Sequence, residues 1–406
     1  MNLFTKIARE VFLFGAIVVL LTLPWAKSLS SFGIGIALGI GFVYSLVNFK
    51  EWKKEDFGYL FLFGSLYLIG VISYFYSENK DEASAKLFLK LPLLLLPFCL
   101  PLMRLLGKTR VNIIMITFVG VIFLNAVVST IHYFLNYELL NELALHAKPI
   151  PIIGKIYHIQ FSVFNALSIF LSVHLYYVFK EKKWASIFLF LAWANFITLH
   201  ILAARTGLFA FYFCVGTYAL YYSIRNKSIK GFVAIGAMVI SLVCAFYLST
   251  SFRNRVHDTK KDLLTYYKGT YPNHYSNTQR IMAFKTASTI LGNNLVKGVG
   301  IGDVHSAMLE QYAVDDSPLL METRKKPHNQ FLENALQSGV LAIFLLLGIF
   351  IFPLFYKKKT TITLLFLFLF FISMQFESLL ERQASLYVFL LFYALLVGRE
   401  KHKAIH

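Results

Sequence analysis

Long apolar runs, separated by short polar segments, recur along almost the whole chain. Each run has about 17 to 24 residues, the length that an α-helix needs to cross the hydrocarbon core of a bilayer. The predicted spans are residues 10–26, 31–49, 57–76, 87–103, 111–134, 157–179, 184–203, 206–223, 231–250, 333–356, 361–377 and 384–398. The pattern therefore predicts an all-α, polytopic membrane helix bundle with about twelve transmembrane helices.

One polar connection is far longer than the others. Residues 251–332 separate the ninth and tenth predicted spans, and a structureless connection of that length would be unusual, so a functional loop is expected. Within it, Ser276 or Asn277 can cap a helix that runs to about Gly292. The apolar stripe that makes this helix amphipathic consists of Ile281, Met282, Phe284, Ala287, Ile290 and Leu291.

The composition excludes a water-soluble fold. Hydrophobic residues make up 57 % of the 406 residues and charged residues 15 %, against about 45–50 % and about 25 % in soluble domains. The same hydrophobicity excludes a disordered chain. The net charge of +18 would suggest nucleic acid in a soluble protein. Here most of the bases lie in short loops between apolar runs, so membrane lipids are the predicted partner and nucleic acid is not.

The basic residues are distributed unequally between the two sets of alternating loops. Twenty Lys and Arg residues belong to one set and seven to the short loops of the other. The richer set comprises the segments 6–9, 50–54, 104–110, 180–183, 225–230, 357–359 and 399–403. By the positive-inside rule this set and both termini are cytoplasmic. The chain is thus divided into helices 1–9 (residues 1–250), an extracytoplasmic loop (251–332), and helices 10–12 with a cytoplasmic tail (333–406).

Arg205 is the only charge in the sharp turn between the seventh and eighth predicted spans, Ala203-Ala204-Arg205-Thr206-Gly207. One interpretation is an arginine that snorkels to mark the membrane edge. The other is an anion-binding guanidinium, because arginine pairs bidentately with phosphate and lysine does not.

Arg280 lies near the start of the predicted loop helix. Free N–H groups and the helix dipole favour an anion at that end, so Arg280 is a second candidate for anion binding. The alternative is a solvated surface arginine.

His328 belongs to the segment Lys326-Pro327-His328-Asn329-Gln330-Phe331. Pro327 fits the first turn of a helix that continues into the tenth span. The positive end of that helix and the preceding basic residues both disfavour imidazolium. His328 should therefore be neutral at pH 7 and able to act as a general base; the alternative is a structural or merely exposed histidine.

A further group of polar residues is predicted at the outer side of the bundle or its edge. Glu377 and Glu381 are four residues apart and should share a helix face, where Arg382 can neutralise one of them; structural pairing is favoured over catalysis. The remaining residues of this second tier are Lys86, Lys90, His158 and His200.

Several motifs do not support a cofactor or a metal. Gly298-Val299-Gly300-Ile301-Gly302 lacks the strand-then-helix context of a nucleotide cradle, so a tight turn is the better interpretation. Asp315-Asp316 is weak evidence for a metal-dependent sugar transferase, and Asp303 with His305 lacks further spaced ligands. No metal and no cofactor are therefore predicted.

Four short motifs occur in a fixed order on this topology. They are Arg205-Thr206-Gly207 at the start of a span, Arg280 on a helix of the large loop, Gly298-Val299-Gly300-Ile301-Gly302, and His328-Asn329-Gln330 followed by Gly339. Together they resemble the O-antigen ligase and O-antigen polymerase superfamily of bacterial polytopic glycosyltransferases, which use polyprenyl-diphosphate-linked glycans. The similarity runs from about Leu199 to Leu354.

The resemblance implies that a glycan moves from undecaprenyl diphosphate to the hydroxyl of a glycolipid acceptor at the outer face of the bacterial inner membrane. The acceptor is a lipid A–core sugar in ligases, another carrier-linked glycan in polymerases and a protein in related enzymes. By position, Arg205 and Arg280 would bind the diphosphate and His328 would activate the hydroxyl. The only other sizeable outer connection, residues 135–156, is modest, which favours a ligase over a polymerase with two large loops.

Two other classes remain open from the sequence. A twelve-span secondary transporter would commonly have its long connection after span six on the cytoplasmic side and its ionisable residues near the midplane. A non-enzymatic flippase or scaffold would have no need of His328.

Overall fold

The structure, a computed structural model, describes residues 3–146, 148–269, 276–355 and 360–398, and all regular structure in these residues is helical, which confirms the predicted all-α class. The α-helices are α1 (Leu3–Thr22), α2 (Lys27–Val47), α3 (Lys54–Tyr76), α4 (Lys80–Leu105), α5 (Lys108–Leu135), α6 (Tyr137–Leu145), α7 (His158–Phe179), α8 (Ser186–Leu202), α9 (Arg205–Asn226), α10 (Lys230–Leu248), α11 (Thr250–Tyr267), α12 (Ser276–Asn293), α13 (Val304–Val314), α14 (Gln330–Ser338), α15 (Leu341–Phe355), α16 (Thr361–Met374) and α17 (Gln383–Leu396).

Eight of the described helices are long and apolar enough to cross a membrane: α2 to α5 and α7 to α10. The other four predicted spans fall on α1, whose first half is charged, and on the shorter apolar helices α15, α16 and α17. The count of about twelve spans therefore stays a prediction. The basic segments 357–359 and 399–403, and the predicted cytoplasmic tail, lie outside the described residues.

The predicted continuous span over residues 333–356 is wrong. α14 ends at Ser338 and α15 begins at Leu341. Gly339, between them, has φ 85°, a conformation that ends a helix and that glycine adopts without steric cost. The N–H of the next residue, Val340, donates to the carbonyl of Leu295 at 2.8 Å. This hydrogen bond joins the segment that follows α12 to the break between α14 and α15.

The helices differ strongly in how deeply they are buried. In α17 every residue from Ser385 to Leu396 is buried, and in α7 most residues are. In α10, by contrast, only Gly231 is buried. The bundle is therefore built around α7 and α17, and α10 lies at its periphery.

Four helices, α11 to α14, lie between α10 and α15. α12 confirms the predicted loop helix, and Ala287 and Ile290 of the predicted stripe are buried. Phe284 of that stripe is 51 % exposed, and Ala283 and Thr286, which lie outside it, are buried instead. α12, α13 and α14 share a small core with buried side chains from Ile290, Met308 and other residues. The polar helix α11, whose buried residues are Ser251, Asp258 and Asp262, has no counterpart in the sequence prediction.

The glycine-rich segment docks this region onto the turn between α3 and α4. The N–H groups of Ile301 and Gly302 donate to the hydroxyls of Ser73 and Ser77, each at 3.2 Å. Both carboxylate oxygens of Asp303 accept backbone N–H groups at the start of α4, each at 2.8 Å. The segment is thus a tight turn, as predicted, and Asp303 is committed to the backbone N–H groups of Glu78 and Asn79, just before α4, which Asn79 caps.

Candidate active site

Arg205, Arg280 and His328 line one cavity of about 150 Å³. They come from three separate parts of the chain: the start of α9, the first turns of α12 and the segment before α14. His158, at the start of α7, lines the same cavity. We call it the cationic cavity. Its other lining residues are Pro149, Tyr157, Ile159, Leu202, Ala203, Ala204, Thr206, Arg255, Ser276, Gln279 and Lys325.

Arg205 is placed by the close approach of α9 to α7. A Cβ on Gly207 would overlap Ser162 of α7, so only glycine permits this packing. The guanidinium donates from Nη1 to the Ser276 hydroxyl at 3.0 Å and forms an ion pair through Nη2 with Asp258. Its Nε is buried without an acceptor in the described part of the chain. Arg205 is therefore held inside the protein with one donor unused.

The N-terminus of α12 is already occupied by a carboxylate. Asp262 of α11 accepts the N–H groups of Asn277 (2.7 Å) and Thr278 (3.0 Å), and the Thr278 hydroxyl at 2.6 Å. The predicted free N–H groups for an anion at this helix end are thus satisfied within the protein. Arg280 itself points to the cavity, with Nη2 3.8 Å from Glu377 Oε2.

The sequence predicts that His328 lies in the first turn of a helix. In the structure it lies two residues before the helix begins. α14 begins at Gln330, and the Asn329 side chain caps it by accepting the N–H groups of Phe331 and Leu332 at 2.9 and 3.0 Å. His328 has φ 50°, in the left-handed region, where a non-glycine residue is uncommon. This turn directs the imidazole to the cavity wall.

A buried carboxylate contacts His328. Nδ1 lies 3.2 Å from Oε2 of Glu377, which is 3 % exposed. Burial alone would raise the pKa of Glu377, but the hydrogen bond from His328 and the charges of Arg280 and Arg382 hold it below its ordinary value. An ionised Glu377 is an acceptor only, so it favours the tautomer in which Nδ1–H donates to it and Nε2 is the ring's free acceptor.

The expectation that Glu377 and Glu381 share a helix face is wrong. α16 ends at Met374, so Glu377 follows the helix and Glu381 lies in a short 3-10 turn. The two carboxylates consequently contact different groups. Arg382 does approach Glu377, with Nε 3.9 Å from Oε1, and its guanidinium lies 4.5 Å from the centre of the Tyr157 ring.

Lys86, Lys90 and Glu381 belong to a second cluster, which we call the buried ion network. Lys90 Nζ contacts Glu381 Oε1 and Gln337 Oε1, each at 2.5 Å. Lys86 Nζ donates to the Ile301 carbonyl at 2.9 Å. The other charged members are Glu82, Glu333 and Lys326, through Lys86–Glu82 (3.3 Å), Lys86–Glu333 (3.8 Å) and Lys326–Glu82 (3.2 Å).

Of the two remaining second-tier histidines, only His158 reaches the cationic cavity. His200 Nε2 lies 2.7 Å from the Tyr212 hydroxyl, which in turn lies 2.7 Å from that of Ser241. This chain joins α8, α9 and α10, so His200 is placed as a structural residue.

Sequence reasoning missed Arg255, Lys325 and Tyr157. Arg255 and Arg205 both approach Oδ2 of Asp258, Arg255 at 3.6 Å. Burial raises the pKa of Asp258 above its ordinary value, and the two guanidiniums oppose that shift. The spacing of Arg255, Asp258 and Asp262 places them along one face of a helix. That spacing is the signal that could have identified α11 as a site element.

A larger cavity, of about 1330 Å³, lies at the other end of α9. Tyr218, Tyr222 and Arg225 are among the residues that line it. Arg225 is twenty residues from Arg205, or about 30 Å along a helix. This cavity is therefore separate from the candidate site.

The fold and the cavity define a helical membrane protein with a cationic site at one end of its apolar helices. Residues 187–347, less than half of the chain, match the family model described as O-antigen ligase. This match supports the O-antigen ligase superfamily and confirms the resemblance found in the motifs; Arg205, Arg280 and His328 all lie within it. No curated protein matches the chain.

The matched domain and the apolar helices fit a membrane glycosyltransferase of the O-antigen ligase and polymerase type, in lipopolysaccharide biosynthesis. They point to the bacterial inner membrane and, as the family implies in general, to a polyprenyl-linked glycan and a lipid acceptor as partners.

Proposed function

We propose that the protein is an O-antigen ligase-type enzyme that transfers a glycan from undecaprenyl diphosphate to a hydroxyl of a lipid A–core type acceptor, with inversion and without a metal ion. The observation that carries this proposal is that Arg205, Arg280 and His328 line one cavity. A cation pair suited to a diphosphate and a base suited to a hydroxyl thus face the same small space.

Arg205 and Arg280 bind the donor diphosphate in this proposal. Guanidiniums pair bidentately with phosphate oxygens, and the buried Nε–H of Arg205 offers a further donor. As the bond between the anomeric carbon and the phosphate oxygen breaks, negative charge grows on the diphosphate. Fixed cations that stabilise this growing charge lower the barrier. The two guanidiniums would thus supply the electrostatic stabilisation that a metal ion supplies in other transferases.

His328 activates the acceptor. Glu377 holds the proton on Nδ1, so Nε2 takes the proton of the acceptor hydroxyl as the oxygen attacks the anomeric carbon. A bond from the acceptor oxygen to the anomeric carbon forms, and undecaprenyl diphosphate leaves with the electron pair of the broken bond. Attack opposite to the leaving group inverts the anomeric centre. Glu377 acts here as a positioning residue.

An apolar groove offers a place for the polyprenyl tail. It has a volume of about 450 Å³ and lies between α9, α15 and α16, with Leu347, Phe350 and Phe371 among its lining. The ring of Phe371 lies 5.6 Å from that of Phe331, three residues after His328. From Phe371 the lining continues through Cys214 to Tyr218 and Tyr221, so the groove follows the apolar part of the bundle away from the site.

The test is transfer by the purified protein, with undecaprenyl-diphosphate-linked glycan as donor. Candidate acceptors are lipid A–core, a second carrier-linked glycan and a protein, and the readouts are released undecaprenyl diphosphate and the anomeric configuration of the product. Transfer only to lipid A–core supports a ligase. Transfer to the carrier-linked glycan or the protein would identify a polymerase or a protein-glycosylating enzyme, and donor movement without bond cleavage would support a transporter or flippase.

The proposed site faces the extracytoplasmic side, with both termini in the cytoplasm. The positive-inside bias of the short loops supports this orientation. In a cysteine-free background, an impermeant thiol reagent applied from outside should label Val296→Cys, which is 84 % exposed in the wild type, and spare Ile229→Cys, which is 74 % exposed. The reverse labelling would place the site in the wrong compartment.

A further inference from the structure

Arg255 is a partly buried arginine of the cationic cavity that no sequence motif marks. It lies on α11, three residues before Asp258, and its side chain is 12 % exposed. Nη1 is 3.6 Å from Asp258 Oδ2, and Nη2 donates to the Lys148 carbonyl at 3.1 Å. These contacts hold its guanidinium on the same wall as Arg205.

The charges around the cavity are not balanced. Among its described lining residues, Arg205, Arg255, Arg280 and Lys325 are cations and none is a carboxylate. Among the described residues, these arginines form ion pairs with Asp258, which two of them share, and with Glu377, and Asp262 is a further negative charge near Arg205. Burial, together with repulsion from Arg205, lowers the pKa of Arg255 to about 10. An excess of partly buried cations is stabilised when an anion joins them.

We propose that Arg255 is a third guanidinium for the donor diphosphate, held beside Arg205 by their shared carboxylate, Asp258. This inference rests on the proposed function. Arg205 and Arg255 form one wall of the cavity, whereas Arg280 belongs to α12 and approaches Glu377. Guanidiniums on two sides of the cavity suit a ligand with two phosphoryl groups. The cavity therefore selects a lipid diphosphate over a lipid monophosphate, and Arg255 contributes to that selection.

The experiment measures the affinity of the purified full-length protein for undecaprenyl diphosphate and for undecaprenyl monophosphate. The variants are Arg255→Gln and Arg255→Lys. Arg253→Gln is the matched control, because Arg253 is on the same helix, donates to Thr250 and does not line the cavity. Wild type should prefer the diphosphate.

We expect Arg255→Gln to weaken diphosphate binding about tenfold or more while monophosphate binding changes less, so that the preference collapses. Arg255→Lys, which keeps the charge, should raise the KM for the donor with little change in kcat. Arg253→Gln should behave as wild type. An unchanged preference in both Arg255 variants, or an equal loss for both lipids, would overturn the inference and leave Arg255 a structural residue.

The two proposals fail differently. If wild type transfers glycan from the diphosphate carrier and Arg255→Lys matches it in KM and in lipid preference, only the role of Arg255 is removed. If wild type neither binds the diphosphate lipid nor transfers the glycan, the proposed function is removed and this inference with it.

Discussion

The cationic cavity and the buried ion network are two charged clusters that differ in their balance of positive and negative charge. In the network, the described charges are matched: Lys86, Lys90 and Lys326 face Glu82, Glu333 and Glu381, and Lys90 makes two contacts of 2.5 Å. Around the cavity, the four cations Arg205, Arg255, Arg280 and Lys325 face Asp258, Asp262 and Glu377, and Arg205 Nε has no acceptor among the described residues.

The difference separates structural charge from binding charge. A cluster with equal numbers of opposite charges needs no added counter-ion, although Glu333 Oε2 and Glu381 Oε2 have no hydrogen-bond donor among the described residues. A cluster with excess cations is stabilised when an anion joins it. The network holds the segment around His328 from both sides, because Lys326 contacts Glu82, and Gln330 donates to Glu381 at 3.3 Å. The network therefore positions the segment that carries His328, and the residues of the cavity bind the donor and activate the acceptor in the proposed reaction.

The largest expected effect is on transfer, in the cavity. His328→Ala removes the proposed base and should reduce transfer by about 10² to 10⁴-fold, while donor binding and the melting temperature stay near wild type. His328→Gln should not restore transfer, because an amide cannot accept the proton. Transfer rate and donor affinity are measured in the same preparation. Near wild-type transfer by His328→Ala would make the residue structural, and equal loss of binding and transfer would assign it to the diphosphate.

The next effect is on stability, in the network. Lys90→Met or Glu381→Leu alone leaves a buried charge unpaired and should lower the free energy of unfolding by about 3 to 5 kcal/mol. The double variant removes both charges and should recover most of that loss. Unfolding of the detergent-purified protein measures all three. A double variant as unstable as the sum of the single ones would show that the two residues do not act as a pair.

A smaller effect distinguishes guanidinium from positive charge in general. Arg205→Lys and Arg280→Lys keep the charge and lose the planar fork, so each should lose transfer activity about tenfold or more, at least about 1.4 kcal/mol. Arg225→Lys, at the far end of α9, is the control and should transfer normally. Full activity in both cavity variants would leave the diphosphate clamp without support.

The smallest expected effect is none. If the arginines supply the electrostatic stabilisation, EDTA should not change transfer by the purified enzyme. The rate is measured before and after chelation. Loss of activity that Mg²⁺ or Mn²⁺ restores would move attention to Asp315 and Asp316, since Asp303 is occupied by backbone N–H groups.

The sequence predicts those parts of the fold and site that stand out locally. Arg205 is a lone charge in an apolar turn, and Ser276 begins a helix where a cap is expected; the structure has both at the predicted places. Glu377 and Glu381 could not be separated from sequence, because their roles depend on α16 ending at Met374. Arg255 lies on a polar helix, α11, that contacts distant segments of the chain through Lys148 and Arg205. Hydrophobic periodicity does not predict contacts of this kind.

Asp258 and Asp262 make α11 a spacer between two arginines. Asp258 pairs with Arg205, and Asp262 caps α12, which carries Arg280. Their four-residue interval is one helical turn and about 6 Å of rise, and inserting a single residue within it would rotate one carboxylate by about 100° away from its partner. The count of residues between the two aspartates is therefore fixed by the positions of the two arginines.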